Sequence, residues 1–197
     1  MGPMVNLTKI YTRTGDEGTT ALGDFSRTSK TDSRLQAYAD TNEANAVIGV
    51  AVATGGLDED LVATLTRVQN DLFDVGADLC TPLLANPEYP PLRVKQEWID
   101  ELEADCDEYL TRVEKLRSFI LPGGTAGSAW AAREEYGTEV ADERGVGGVN
   151  PLTTTYLNRL SDLLFILARV ANLSIGGDVL WQPGGGREDR PKKSARP

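Results

Sequence analysis

D-E-D-L-V-A-T-L-T-R-V-Q-N-D-L-F-D-V-G-A-D-L, residues Asp58 to Leu79, decides the fold. Leu61, Leu65, Val68, Leu72, Val75 and Leu79 recur at spacings of three and four, which places one apolar stripe on a helix that ends before Pro82. The segments around it follow the same logic. Asp32 or Ser33 can cap a helix with apolar positions Leu35, Tyr38, Ala39, Ala46, Ile48 and Val52, stopping at Gly55-Gly56. Thr81 to Leu92 holds four prolines and reads as a loop. Val94, Trp98, Leu102, Cys106, Tyr109, Val113 and Leu116 mark a third long amphipathic helix with an acidic outer face. Ala126 to Tyr136 is helix-compatible but short, and Gly137 to Asn150 is glycine-rich and polar. A last helix spans about Thr153 to Asn172, with Leu157, Leu160, Leu164, Leu167 and Ala171 on one stripe and Asn158, Asp162, Phe165 and Arg169 on another face. Asp178 to Trp181 suits a short extended segment. With almost no strand signal, the fold class is all-α, an up-and-down helical bundle.

At 197 residues, 40% of them hydrophobic, the chain suits one globular domain, placed at residues 1–183, with a basic, disordered tail at 184–197. No run of about 18 apolar residues and no leader pattern occurs, so the expectation is a cytoplasmic protein that neither spans nor binds membranes. A net charge of −10 argues against nucleic acid as partner. The absence of histidine excludes Ser-His-Asp and Cys-His catalysis and the usual zinc sites. Cys80 and Cys106 are not in a Cys-x-x-Cys pair and read as buried, reduced thiols.

The N-terminal stretch K-I-Y-T-R-T-G-D-E-G-T-T, Lys9 to Thr20, has the chemistry of an anion-binding loop. Gly15 and Gly18 allow close backbone approach, Thr12, Thr14, Thr19 and Thr20 offer hydroxyls, and Arg13 brings a permanent charge. It matches neither G-x-x-x-x-G-K-[ST] nor G-x-G-x-x-G. Asp16 and Glu17 beside such a loop suggest Mg²⁺ between carboxylate and phosphate, and Lys30 offers a second cation. On the last helix, Asn158 can both donate and accept toward a ligand, whereas Asp162 suits an ion pair with a neighbouring arginine.

Three segments together, K-I-Y-T-R-T-G-D-E-G-T-T, F-I-L-P-G-G (Phe119 to Gly124) and Y-L-N-R-L-S-D-L-L-F-I-L-A-R (Tyr156 to Arg169), resemble the PduO-type corrinoid adenosyltransferases in content and order. The resemblance implies a homotrimeric ferritin-like bundle. It implies transfer of the 5′-deoxyadenosyl group of ATP to the cobalt of cob(I)alamin with release of triphosphate, in a cobalamin biosynthesis setting. By position, it makes Thr12, Arg13, Thr14, Gly15, Asp16, Gly18, Thr19 and Thr20 the triphosphate loop, Lys30 a further ATP contact and Asn158 a nucleotide contact. Phe119, which alone would read as core, becomes the aromatic wall that keeps the lower face of cobalt free. A reductase or a cobalamin-dependent mutase would be the natural partner.

The chain also departs from that family. Its A-R-x-x-x-R-R-A-E-R helix is missing: Gly127-Ser128-Ala129 runs directly into Trp130-Ala131-Ala132-Arg133-Glu134-Glu135, as if about 15 residues, or about 22 Å of helix, were removed. Arg133 and Glu134 read as exposed surface rather than as a substitute. Asn42 stands where the family commonly has an aspartate that pairs with one of those arginines. The alternative function is therefore a noncatalytic ATP- or cobalamin-binding bundle impaired by an internal deletion.

Overall fold

The computed structural model describes residues 11–131 and 147–185. Strands β1 (Thr19–Ala21) and β2 (Arg27–Ser29) precede helices α1 (Ser33–Thr54), α2 (Glu59–Leu79), α3 (Gln96–Leu110), α4 (Ala126–Ala131) and α5 (Pro151–Ala171). The expected helical bundle is present, with α1 packed on α2, α3 on α5, and the short α4 between α1 and α5.

The α2 stripe is the spine of the core: Leu61, Leu65, Val68, Leu72, Val75 and Leu79 are all at most 2% exposed. Burying each such side chain contributes roughly 1.5 to 3 kcal/mol, so this one face supplies much of the drive to fold. Facing it on α5 are Tyr156, Leu160, Leu163, Leu164 and Leu167, and on α3 Ile99, Leu102, Cys106 and Tyr109.

Several expectations need correction. On α1 the inward face is Ala37, Thr41, Asn45, Ile48 and Ala51, while Ala39 and Ala46 are exposed. The stripe was disguised because two of its members are polar. Asn45 Nδ2 donates to the Gln69 backbone carbonyl at 2.9 Å, and the Asn45 backbone carbonyl accepts from Gln69 Nε2 at 3.1 Å, so α2 supplies the buried side chain's acceptor. Close α1–α2 packing also needs Gly76, where a Cβ would come within 3.1 Å of the Tyr38 ring. The third helix ends at Leu110 rather than Leu116, and Leu116 is exposed. Cys106 is buried but Cys80 is only half-buried. The strands went unforeseen because each is three residues long: Thr19 pairs with Ser29 and Thr20 with Thr28. Leu180 does pair with Ile120, as an extended segment there should. Of the expected helix Ala126 to Tyr136, the part after Ala131 lies outside the described residues, as do Arg133, Glu134, Lys9, most of Gly137 to Asn150, and the tail from residue 186.

At one end of the bundle sits Asp78, fully buried. Its carboxylate accepts from Arg93 Nη1 at 2.5 Å, from the Val94 backbone N–H at 2.7 Å and from Asn150 Nδ2 at 2.7 Å. The end of α2, the entry to α3 and the start of α5 thereby meet at one charge. Replacing Asp78 with Ala leaves the Arg93 charge without its counter-ion and the buried Val94 N–H without its acceptor, while Arg93 and Asn150 keep only backbone carbonyls. The expected loss is about 3 to 5 kcal/mol in urea unfolding, well above that of a surface Asp107→Ala control.

Candidate functional site

The N-terminal loop is anchored to the helix ends before it can bind anything. Gly23 N–H donates to the Cys80 carbonyl at 2.8 Å, and any side chain at Gly23 would collide with Thr81. Thr28 Oγ1 donates at 2.8 Å to Asp32, whose other carboxylate oxygen caps α1 through Arg34 N–H at 2.9 Å. Arg34 reaches onward to the carbonyls of Leu79 at 2.7 Å and Gly147 at 2.8 Å. The hairpin therefore rides on the α1 N-terminus and the α2 C-terminus.

Within the loop, Arg13 and Gly18 have positive φ (62° and 79°), and Asp16 and Gly18 N–H close successive turns on the Arg13 and Gly15 carbonyls. Thr12 and Thr14 hydroxyls share a hydrogen bond of 2.9 Å. Lys30 N–H donates to the Gly18 carbonyl at 2.9 Å, and its ammonium lies so near Gly15 that a Cβ there would stand 3.1 Å from Nζ. The loop residues and Lys30 thus form one polar, solvent-facing cluster, as the sequence anticipated. Arg13 leans over the Tyr11 ring instead, 5.8 Å from its centroid. Sequence reasoning missed Arg27, which bonds to both ends of the loop, because a lone arginine in a three-residue strand carries no motif.

Asp32 titrates below the usual carboxylate range, chiefly because Thr28 donates to it and then because Arg34 N–H does. A depressed folded value means its stabilisation is complete above the unfolded value near 4 and is lost as pH falls through the folded one. An Asp32→Ala variant should therefore be less stable than the parent at pH 7, by about 1 kcal/mol. That gap should narrow in thermal melts as pH falls below the unfolded value and through the folded one.

The opposite end carries Phe119. It is 78% exposed, not core, and meets Trp181 edge-on at 6.0 Å. Two backbone bonds hold the pair: Leu121 N–H to the Val179 carbonyl and Trp181 N–H to the Phe119 carbonyl, both 2.8 Å. Arg169, which the sequence placed on an open polar face, is instead buried. It pairs with Asp178 at 2.9 Å and donates to the Glu114 carbonyl at 2.6 Å, tying both flanks of Phe119 to α5. Gly124, at φ 104°, leaves room for the Asn172 amide, which accepts from Thr125 N–H at 2.9 Å and donates to the Gly123 carbonyl and Ser128 hydroxyl, both at 3.0 Å. That is why F-I-L-P-G-G needs its second glycine. Between α3 and α5 at this end lies a cavity of about 970 Å³ lined by Leu110, Val113, Leu116, Phe165, Ile166 and Arg169 among others.

Asn158 is exposed on α5, two turns from its start, while Asp162 pairs with Arg159 at 2.5 Å as expected of an ordinary surface carboxylate. Among the described residues no three metal-ligating side chains cluster. Burial raises both thiols, Cys106 to about 11, which fits unreactive cysteines.

Comparison with known proteins bears on this arrangement. Residues 10–171 match the family model of cobalamin adenosyltransferase. A corrinoid adenosyltransferase of Mycobacterium tuberculosis is 54% identical over 190 residues, spanning 93% of this chain and 97% of its own. That of Mycobacterium leprae is 55% identical over 191 residues, spanning 92% and 99%. A single-site variant of a PduO-type ATP:corrinoid adenosyltransferase from Lactobacillus reuteri, solved with cobalamin and ATP, superposes with a TM-score of 0.75 at 32% identity, covering 89% of this chain and all of that one. The fold is that of a helical-bundle adenosyltransferase. The chain belongs to the cobalamin adenosyltransferase family, and its activity is that of an ATP:corrinoid adenosyltransferase.

Proposed function

We propose that the N-terminal loop of one subunit holds the triphosphate of ATP while the Phe119 end of a second subunit seats the corrinoid, with the 5′ carbon presented to cobalt across the boundary. The observation that carries this reading is a distance. The loop is anchored at the α1 N-terminus, whereas the α1 C-terminus at Gly55 abuts Gly127 of α4, at the Phe119 end. A helix of 22 residues is about 33 Å long. The 21-residue α5 gives an independent ruler of about 31 Å between Asn150, beside Asp78, and Asn172, beside Gly124. Bond formation needs reacting atoms within about 3.5 Å, so loop and aromatic wall of one chain cannot serve the same reaction. A closed ring of identical subunits, a homotrimer in this reading, brings unlike ends together through a repeated head-to-tail contact.

In this arrangement Thr19, Thr20 and one hydroxyl of the Thr12–Thr14 pair donate hydrogen bonds to phosphate oxygens, and the Gly15 backbone N–H adds another, while the Asp16 and Gly18 N–H groups hold the turns of the loop. Lys30 places its charge at Gly15, where the departing triphosphate gathers negative charge. Asn158 orients the nucleoside by donating and accepting through one amide. Phe119 and Trp181 form an apolar wall, and the adjoining cavity of about 970 Å³ is large enough for much of a corrin ring. Cob(I)alamin is the nucleophile, so no side chain has to remove a proton, which suits a chain without histidine.

Magnesium fits as a ligand-borne ion: it binds through one or two carboxylates plus phosphate oxygens, and Asp16 and Glu17 lie exposed in the loop. Bound there, it would neutralise phosphate charge. No described helix is long and apolar enough to cross a membrane. Two free cysteines suit a reducing cytoplasm. Because the substrate is a reduced corrinoid and the product an alkylated one, a reductase upstream and a cobalamin-dependent mutase downstream are the fitting partners.

Two tests follow. With ATP and chemically reduced cobalamin, the visible spectrum should convert to that of the cobalt–carbon product. Next, a loop variant (Asp16→Ala with Lys30→Ala) and Phe119→Ala should each be nearly inactive alone. Co-expressed, they should recover about a quarter of wild-type turnover, since random assortment gives half the sites an intact loop and half of those an intact wall. A site confined to one chain would recover nothing.

A further inference from the structure

Arg27 belongs to none of the motifs, yet it makes the hydrogen bonds that fix the shape of the loop. Its Nη2 donates to the Thr14 carbonyl at 2.7 Å and to the Thr19 hydroxyl at 2.5 Å. Those acceptors lie on either side of the Gly15 to Gly18 turn, so a single guanidinium nitrogen closes the base of the loop. Three residues further along the same segment, Lys30 brings its ammonium to Gly15. The two cations therefore bracket the glycine turn from one strand and the turn that follows it.

Each bond has a consequence for an anion. A hydroxyl that already accepts from a guanidinium has its own hydrogen left to donate, which sets Thr19 as a donor. A carbonyl facing a phosphate would repel it, and the Thr14 carbonyl is instead capped by positive charge. The loop is left presenting donors, with a fixed cation at its edge that neither burial nor pH neutralises.

We propose that Arg27 is a positioning residue for the polyphosphate of the nucleotide, acting through Thr19 and Thr14. This rests on the reading that the loop binds triphosphate. Lysine is a poor replacement, because a single ammonium on a flexible stem cannot hold both acceptors with the same planar geometry.

The test is calorimetric titration of the full chain with ATP, inorganic tripolyphosphate and cobalamin, alongside steady-state kinetics and melting temperatures, for Arg27→Gln, Arg27→Lys, Thr19→Val and the double variant Arg27→Gln/Thr19→Val. Arg27→Gln should weaken ATP and tripolyphosphate by about tenfold or more and raise KM for ATP equally. Cobalamin affinity should stay unchanged. Arg27→Lys should recover only part of the loss, and the double variant should be little worse than the worse single one, since both act through one bond. If Arg27→Gln binds both phosphate ligands as the parent does while Lys30→Ala weakens them, the proposal fails and the loop keeps its role. Fully additive losses in the double variant would overturn action through Thr19. If the parent itself binds neither ATP nor tripolyphosphate, the loop reading and this proposal fall together.

Discussion

Everything at the loop end of the bundle hangs on three consecutive residues at the close of α2. Asp78, fully buried, gathers Arg93, Val94 N–H and Asn150. The Leu79 carbonyl takes Arg34 from α1, and the Cys80 carbonyl takes Gly23 from the hairpin. A carboxylate moved out of water costs several kcal/mol unless its lone pairs are met, and here a guanidinium, a backbone N–H and an amide meet them. Because those donors come from separate stretches of chain, satisfying one charge fixes where α3 enters, where α5 begins and, one and two residues later, where α1 and the hairpin sit.

That convergence gives the loop a rigid base but also confines it. Helices α1 and α5 run the length of the bundle away from it, and the aromatic pair Phe119–Trp181 lies beyond their other ends. Rigid placement at opposite poles is a poor design for one subunit and a good one for a ring, where each boundary joins unlike ends. Large apolar side chains left exposed near the far pole, Phe119 at 78% and Ile175 at 58%, are the sort of surface that a ligand or a second subunit covers.

How much of this could be read beforehand differed by element for physical reasons. The α2 stripe was legible to the residue because its six members at spacings of three and four are all large and apolar, a periodic signal that the buried Gly76 and Asp78 do not interrupt. On α1 the same signal failed, since Thr41 and Asn45 face inward and are paired with backbone carbonyls that no pattern announces. The hairpin is too short for alternation to register. The polar, permissive character of the glycine- and threonine-rich loop was legible from composition alone, as donors and backbone freedom are properties of residue type. Arg27 and Arg169 were not, because what each does depends on carbonyls distant in sequence: Thr14 for one and Glu114 for the other.

The missing arginine-rich segment sharpens what the remaining cations must do. Displacing triphosphate from ATP moves negative charge onto the leaving group, and preorganised donors stabilise that charge more effectively than water because they need not reorient. Among the described residues, those at the loop are Arg27 and Lys30, set on one strand and its following turn, with Arg13 drawn toward Tyr11. Asp16 and Glu17 oppose them unless a divalent cation intervenes. In the proposed arrangement electrostatic stabilisation is therefore concentrated at the loop, and it depends on the hairpin holding two cations in register with a glycine turn. The short strands, which contribute little to the core, are what make that register possible.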